Sequence, residues 1–210
     1  MRETPGVPYV AIVLAGGRGT RLGGRDKAAV QVAGRSLLDR ALSAVAGASA
    51  VVVVGDERPV ASPVPLLWTR ESPAYGGPVA ATYAGLDALW RDTPVRLGRG
   101  SPSETAQTHR TTPIVVLAVD MPGVTAGTVA RLVEGVEGYD GAVLTDGGRR
   151  HLAMAVRADA LEAVRPERTE GAAVRDLWAR LDLADVPALG EEAQDVDVPG
   201  DITARSDPGA

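Results

Sequence analysis

Five glycines and four basic side chains crowd into Leu14–Lys27, LAGGRGTRLGGRDK, directly behind an apolar run, Tyr9–Leu14. Glycine lets a backbone turn tightly and bring its N–H groups close to an anion. Arg18, Arg21, Arg25 and Lys27 would balance that anion's charge. The chemistry implied is the holding of a phosphate. Of the 22 basic residues, Lys27 is the only lysine. Lysine is a compact point charge on a flexible stem, suited to a crowded phosphate site. An acid stands where it could complete such a site: Asp120 ends the apolar run Ile114–Val119. A carboxylate at the end of a buried strand, beside a phosphate cradle, is a natural Mg²⁺ ligand.

The elements that must position these residues are legible as an alternation. Tyr9–Leu14 reads as a buried strand, and Ala28–Val32 as a short extended piece closed by Gly34. Ser36 caps a helix with Leu37, Leu38, Ala41, Leu42 and Val45 on one face and Gly47 as its stop. Ala50–Val54 is a β-branched run and Leu66–Trp68 a shorter strand. Gly76-Gly77-Pro78 opens a helix carrying Val79, Tyr83, Leu86 and Trp90 at helical spacing. Ile114–Val119 is the next strand, and Thr125 caps a helix with Val129, Leu132, Val133 and Val136 inward. Ala142–Thr145 and Ala153–Val156 read as two more strands, and Val174, Leu177, Trp178 and Leu181 as a late amphipathic helix. Alternating strand and helix give an α/β class with a largely parallel sheet. The polar stretch 91–112, which contains His109, reads as a surface loop, and 206–210 as a frayed tail.

Composition narrows the function. A chain of 210 residues can bury one sizeable core. A net charge of -5 argues against a general nucleic-acid or membrane surface. With no cysteine there are no disulfides and no thiolate metal sites. No apolar run approaches the roughly 18 residues of a membrane span, and none precedes the glycine loop as a signal peptide; a cytoplasmic location is expected. Two familiar phosphate loops fail. A Walker A loop needs Lys followed by Ser or Thr, whereas Lys27 is followed by Ala28. The dinucleotide fingerprint would start at Gly17, but Leu22 holds its last glycine position.

The loop resembles the signature of the small nucleotidyltransferases, most closely that of the molybdenum cofactor guanylyltransferases, the MobA family. Leu14-Ala15-Gly16-Gly17 and Gly23-Gly24-Arg25-Asp26-Lys27 carry the likeness. Gly77-Pro78-Val79-Ala80-Ala81, Val115–Pro122 and Asp195–Pro199 are similar to three further family motifs in the same order. The resemblance implies a single Rossmann-like nucleotidyltransferase domain over residues 1–205, with a mostly parallel central sheet and helices on both faces.

It also implies Mg²⁺-dependent transfer of GMP from GTP to the phosphate of molybdopterin, with release of pyrophosphate. GTP and the molybdopterin acceptor would be the partners, with other molybdenum cofactor biosynthesis proteins as contacts. Leu14, Ala15 and Gly16 would meet the nucleotide through backbone, Gly17 and Gly19 the triphosphate, and Arg21 and Lys27 the phosphate charge. Glu71 and Asp120 would also touch the nucleotide, and Asp120 with Asp197, or with Asp195, would hold the metal. Arg149, Arg150 and His151 lie where the family binds its acceptor; a basic hairpin turn is the other reading of that segment. Cytidylyl transfer, sugar-phosphate nucleotidyl transfer and a non-catalytic nucleotide-binding module remain open alternatives.

Overall fold

The computed structural model describes residues 7–17, 26–92 and 111–196. At its centre is β1 (Val10–Leu14), all five residues buried. A strand buried on both faces must be apolar throughout, which is why VAIVL does not alternate. It lies between β4 (Val51–Val54) and β6 (Pro113–Ala118), parallel to both, with Ile12 opposite Val52 and Val116. Beyond β4 lies β5 (Leu66–Thr69). Beyond β6 come β8 (Arg149–Arg157), β7 (Gly141–Asp146) and β9 (Leu183–Pro187). Among the described residues the order is β5-β4-β1-β6-β8-β7-β9. Every pairing is parallel except the two made by β8, so the expected mostly parallel sheet is present with one reversed strand. That reversal comes from a tight hairpin at Gly147 and Gly148, whose φ values of 54° and 79° require glycine in a two-residue turn.

Helices cover both faces. On one side α1 (Leu37–Ala44) and α3 (Ala126–Glu134) pack with Ala11, Val13, Val115 and Leu117 of the sheet. Ser36 Oγ accepts the Asp39 N–H at 3.0 Å and starts α1. Thr125 and Thr128 exchange side-chain and backbone bonds to start α3. On the other side α2 (Pro78–Asp92), α4 (Ala158–Ala163) and α5 (Val174–Trp178) bury Val79, Tyr83, Leu86, Leu89, Leu161 and Leu177 against Val10, Ile12 and Val54.

Two expectations are corrected. Ala28–Val32 is not extended throughout: Lys27–Ala29 forms a 3₁₀ turn, because the Asp26 carboxylate accepts the Ala28 N–H at 3.1 Å. Only Gln31–Val32 (β2) is strand, paired with Arg35–Ser36 (β3) in a separate small sheet. Arg91 and Asp92 belong to the last turn of α2 rather than to a loop; residues 93–110, His109 among them, lie outside the described residues. The helix α4 and strand β9 went unread, since six residues with two acids and LADVP with a terminal proline carry little periodicity.

Tyr83 fixes α2 to α4: its hydroxyl donates to the Leu161 carbonyl at 2.8 Å, and the Arg165 guanidinium lies 4.5 Å from its ring centroid. Burial, partly offset by Arg165, pushes the phenol up to about 12. Replacing Tyr83 by Phe should cost about 0.5–1.5 kcal/mol at neutral pH, the net value of one such bond. The unfolded phenol ionises near its ordinary 10.0 and the folded one near about 12, so the bond's contribution is complete below that range and is lost as pH rises through it. Urea melts of wild type and Tyr83→Phe at pH 7 and above pH 10 should show the gap shrinking.

Candidate active site

The strands β1, β4 and β6 point their carboxyl ends at one edge of the sheet, where open α/β sheets bind ligands. A cavity of about 560 Å³ opens there, lined by Leu14, Gly16, Gly17, Lys27, Glu71, Tyr75, Asp120 and Leu152 among others. Six of the residues expected to meet a nucleotide thus come together, drawn from four separate stretches of chain. Ala15 is buried behind that wall and holds the loop's start in place, its N–H donating to the Val54 carbonyl at 2.9 Å. Gly19, Arg21 and Asp197 lie outside the described residues.

Lys27 reaches the cavity because Asp26 builds the turn that carries it. One Asp26 oxygen caps the 3₁₀ turn and the other pairs with Arg58. Lys27 Nζ then donates to Asp120 Oδ2 at 2.8 Å, across 93 positions of sequence. The two side chains are 16% and 27% exposed, shallow enough to meet a ligand and deep enough to escape much of the screening of bulk water. A cation and a carboxylate in contact at the strand edge can accept a polyphosphate and its counter-cation together.

Glu71 follows β5 and is 7% exposed. Its Oε1 accepts the Tyr75 N–H at 2.8 Å, while its buried Oε2 has no hydrogen-bond partner among the described residues. Buried carboxylate oxygens are rarely left so. Gly16 lies against this carboxylate, and a Cβ there would stand 3.8 Å from both oxygens.

The acidic segment after β9 is held by a clamp the sequence reading missed. Glu192 is 8% exposed and receives three donors: Thr128 Oγ1 at 2.6 Å, the Leu189 N–H at 2.8 Å, and Arg131 Nη2. Downstream, the Val196 N–H donates to the Asp120 carbonyl at 2.8 Å. The segment lies so close that a Cβ on Gly123 would sit 2.2 Å from the Glu191 carbonyl oxygen. Asp195 is therefore one residue from a backbone bond to Asp120. Among the described residues no three His, Cys, Asp or Glu side chains gather to hold a metal. One or two carboxylates completed by substrate phosphates is the usual manner of Mg²⁺ binding, so the lack of a three-acid cluster does not decide against a metal at Asp120.

The acceptor-side expectation lands on the β7–β8 hairpin. Arg150 pairs with Asp185 at 3.1 Å and Arg149 is exposed. Neither these arginines nor His151 lines the cavity; Leu152 does. Burial and Arg149 pull the His151 imidazole below its usual value, against the opposing pull of Asp195 and Asp146.

The family model described as the MobA-like NTP transferase domain matches residues 11–186. The molybdenum cofactor guanylyltransferase of Acidiphilium cryptum (strain JF-5) is 34% identical over 170 residues, 77% of this chain and 75% of that protein. The molybdopterin-guanine dinucleotide biosynthesis protein A of Archaeoglobus fulgidus superposes with a TM-score of 0.61 at 19% identity, over 94% of this chain and 97% of that one. The 4-diphosphocytidyl-2C-methyl-D-erythritol synthase of Anaerococcus prevotii shares the fold at TM-score 0.64 and 12% identity, over 95% and 97%.

Burial alone would push the Glu192 carboxyl up; the bonds from Thr128, Leu189 and Arg131 outweigh it and hold the group below its ordinary 4.5. A depressed carboxyl contributes stability above that value, and the contribution is lost as pH falls through the folded one. Glu192→Gln should therefore be about 1–3 kcal/mol less stable than wild type at pH 7. The difference should narrow in acid, and urea melts at pH 7 and pH ~3 check both parts.

Proposed function

The chain belongs to the MobA-like NTP transferase family, and on that premise we propose that it transfers GMP from GTP to the phosphate of molybdopterin, releasing pyrophosphate. The observation that carries this reading is the Lys27–Asp120 pair at the strand edge, beside the Gly16-Gly17 backbone. An oxygen of the acceptor phosphate attacks the α-phosphorus of GTP, and the bond from that phosphorus to the bridging oxygen of pyrophosphate breaks. Charge accumulates on the α-phosphoryl oxygens and the leaving group, so catalysis is chiefly positioning and neutralisation. Gly16 and Gly17 offer backbone N–H groups at close range, and Lys27 shifts its charge from Asp120 to the phosphates. No general base is needed, because a phosphate monoester is largely doubly ionised near pH 7.

Asp120, with Asp195 or Asp197, is suited to hold a divalent cation, which we take to be Mg²⁺. When bound it supplies further neutralisation of the triphosphate. The base assignment draws support from Glu71. Guanine presents two adjacent donors, N1–H and the N2 amino group, that a carboxylate can accept together. Cytosine presents one amino donor beside acceptors, which a carboxylate repels. Glu71 lines the cavity and its Oε2 has no hydrogen-bond partner among the described residues, which leaves an acceptor for the guanine edge. Among the described residues no helix is long and apolar enough to cross a membrane.

Pyrophosphate release measured with each of the four NTPs and molybdopterin tests the reading. Activity with GTP is expected; turnover with CTP alone would remove the base assignment and leave nucleotidyl transfer intact. Lys27→Ala should lose about 10²-fold or more in turnover, the typical cost of removing one charge-stabilising donor. Near-normal turnover in that variant would overturn the role given to Lys27.

A further inference from the structure

Tyr75 is not explained by the phosphate chemistry. It carries a left-handed backbone, φ 64°, which a bulky side chain adopts only under constraint. It is 47% exposed, one of the few large apolar side chains in that state. Yet Tyr75 lines the cavity, and the Arg70 guanidinium lies 5.0 Å from its ring centroid. Arg70 is itself tied to Asp56. A ring braced by a tethered cation, held at a cavity mouth by strained backbone, is a prepared flat surface. Beside it, in the same wall, is the Glu71 carboxylate that the Tyr75 N–H orients.

We propose that Tyr75 is the stacking platform for the nucleotide's base, with Arg70 as its brace, so that the base lies on the ring while its edge meets Glu71. The proposal rests on the nucleotide reading above and adds a base-affinity residue to it. Aromatic stacking recognises any base face and favours the larger purines, so Tyr75 supplies affinity and Glu71 supplies choice. A polyphosphate without a base gains nothing from the ring. The bland alternative is that the left-handed turn exists only to present its N–H to Glu71, the side chain being incidental. That bond is made by backbone and survives any substitution other than proline.

Isothermal titration of GTP and of inorganic tripolyphosphate, with Mg²⁺ present, into wild type, Tyr75→Phe, Tyr75→Ala and Tyr75→Gly separates the two. Tyr75→Ala and Tyr75→Gly should bind GTP about tenfold or more weakly and tripolyphosphate as wild type does. Tyr75→Phe should recover most of the GTP affinity. Glycine takes the left-handed conformation without strain, so Tyr75→Gly should melt close to wild type while still losing GTP, a split that a structural role would not produce. Unchanged GTP affinity in the Ala and Gly variants, or equal losses for GTP and tripolyphosphate, would overturn the platform. Wild type binding GTP no more tightly than tripolyphosphate would instead overturn the nucleotide reading, and the platform with it.

Discussion

The contact between Lys27 and Asp120 ties the molecule's chemistry to its architecture. It requires β1 and β6 to be neighbours, so that the end of the glycine loop and the carboxyl end of β6 face each other. It requires Asp26 to wind the 3₁₀ turn that aims the lysine, and Arg58 to hold Asp26. The two charges satisfy each other in a partly buried place where neither would be comfortable alone. They are also the two charges that a triphosphate and its cation would claim. A triphosphate entering with its cation would exchange that one ion pair for two.

Bringing the acidic segment after β9 up to the strand end that carries Asp120 poses the opposite difficulty, since carboxylates set against one another repel. The chain answers with anchors outside the cavity. Glu192 is drawn onto α3 by Thr128 and Arg131, and the Val196 N–H closes on the Asp120 carbonyl. The absence of a side chain at Gly123 lets the two backbones meet. Acid placement is thus set by neutral backbone bonds and a distant ion pair rather than by the acids themselves.

Much of this was legible in the sequence. Continuous apolar runs marked β1, β4 and β6, because burial on both faces forbids polar alternation. Ser36 and Thr125 announced their helices by capping chemistry that is local in sequence. Lys27 and Asp120, singled out by residue type and by position at a strand end, are brought into contact beside Gly16 and Gly17. The rest depended on contacts that no local pattern carries. Asp26 caps its turn locally, but its pairing with Arg58, 32 residues away, has no local pattern. Glu192, in the run Gly-Glu-Glu, looks solvated until α3 is placed beside it 64 residues away. The hairpin behind Arg149–His151 was one of two open readings, and its geometry turns Leu152 rather than the arginines toward the cavity.

The division between what was and was not legible follows the division of labour in the proposed site. Phosphate binding there would use backbone N–H groups, a cation and a strand-end carboxylate, and these need particular residue types at particular spacings, so they leave a motif. Base recognition here would use a carboxylate oriented by one backbone N–H and a ring braced by one guanidinium. Neither needs a fixed spacing; each needs a particular backbone path, the left-handed turn at Tyr75 above all. Such a path tolerates many sequences. A fold can therefore stay the same while such paths change, and this one is shared with an enzyme 12% identical to the chain.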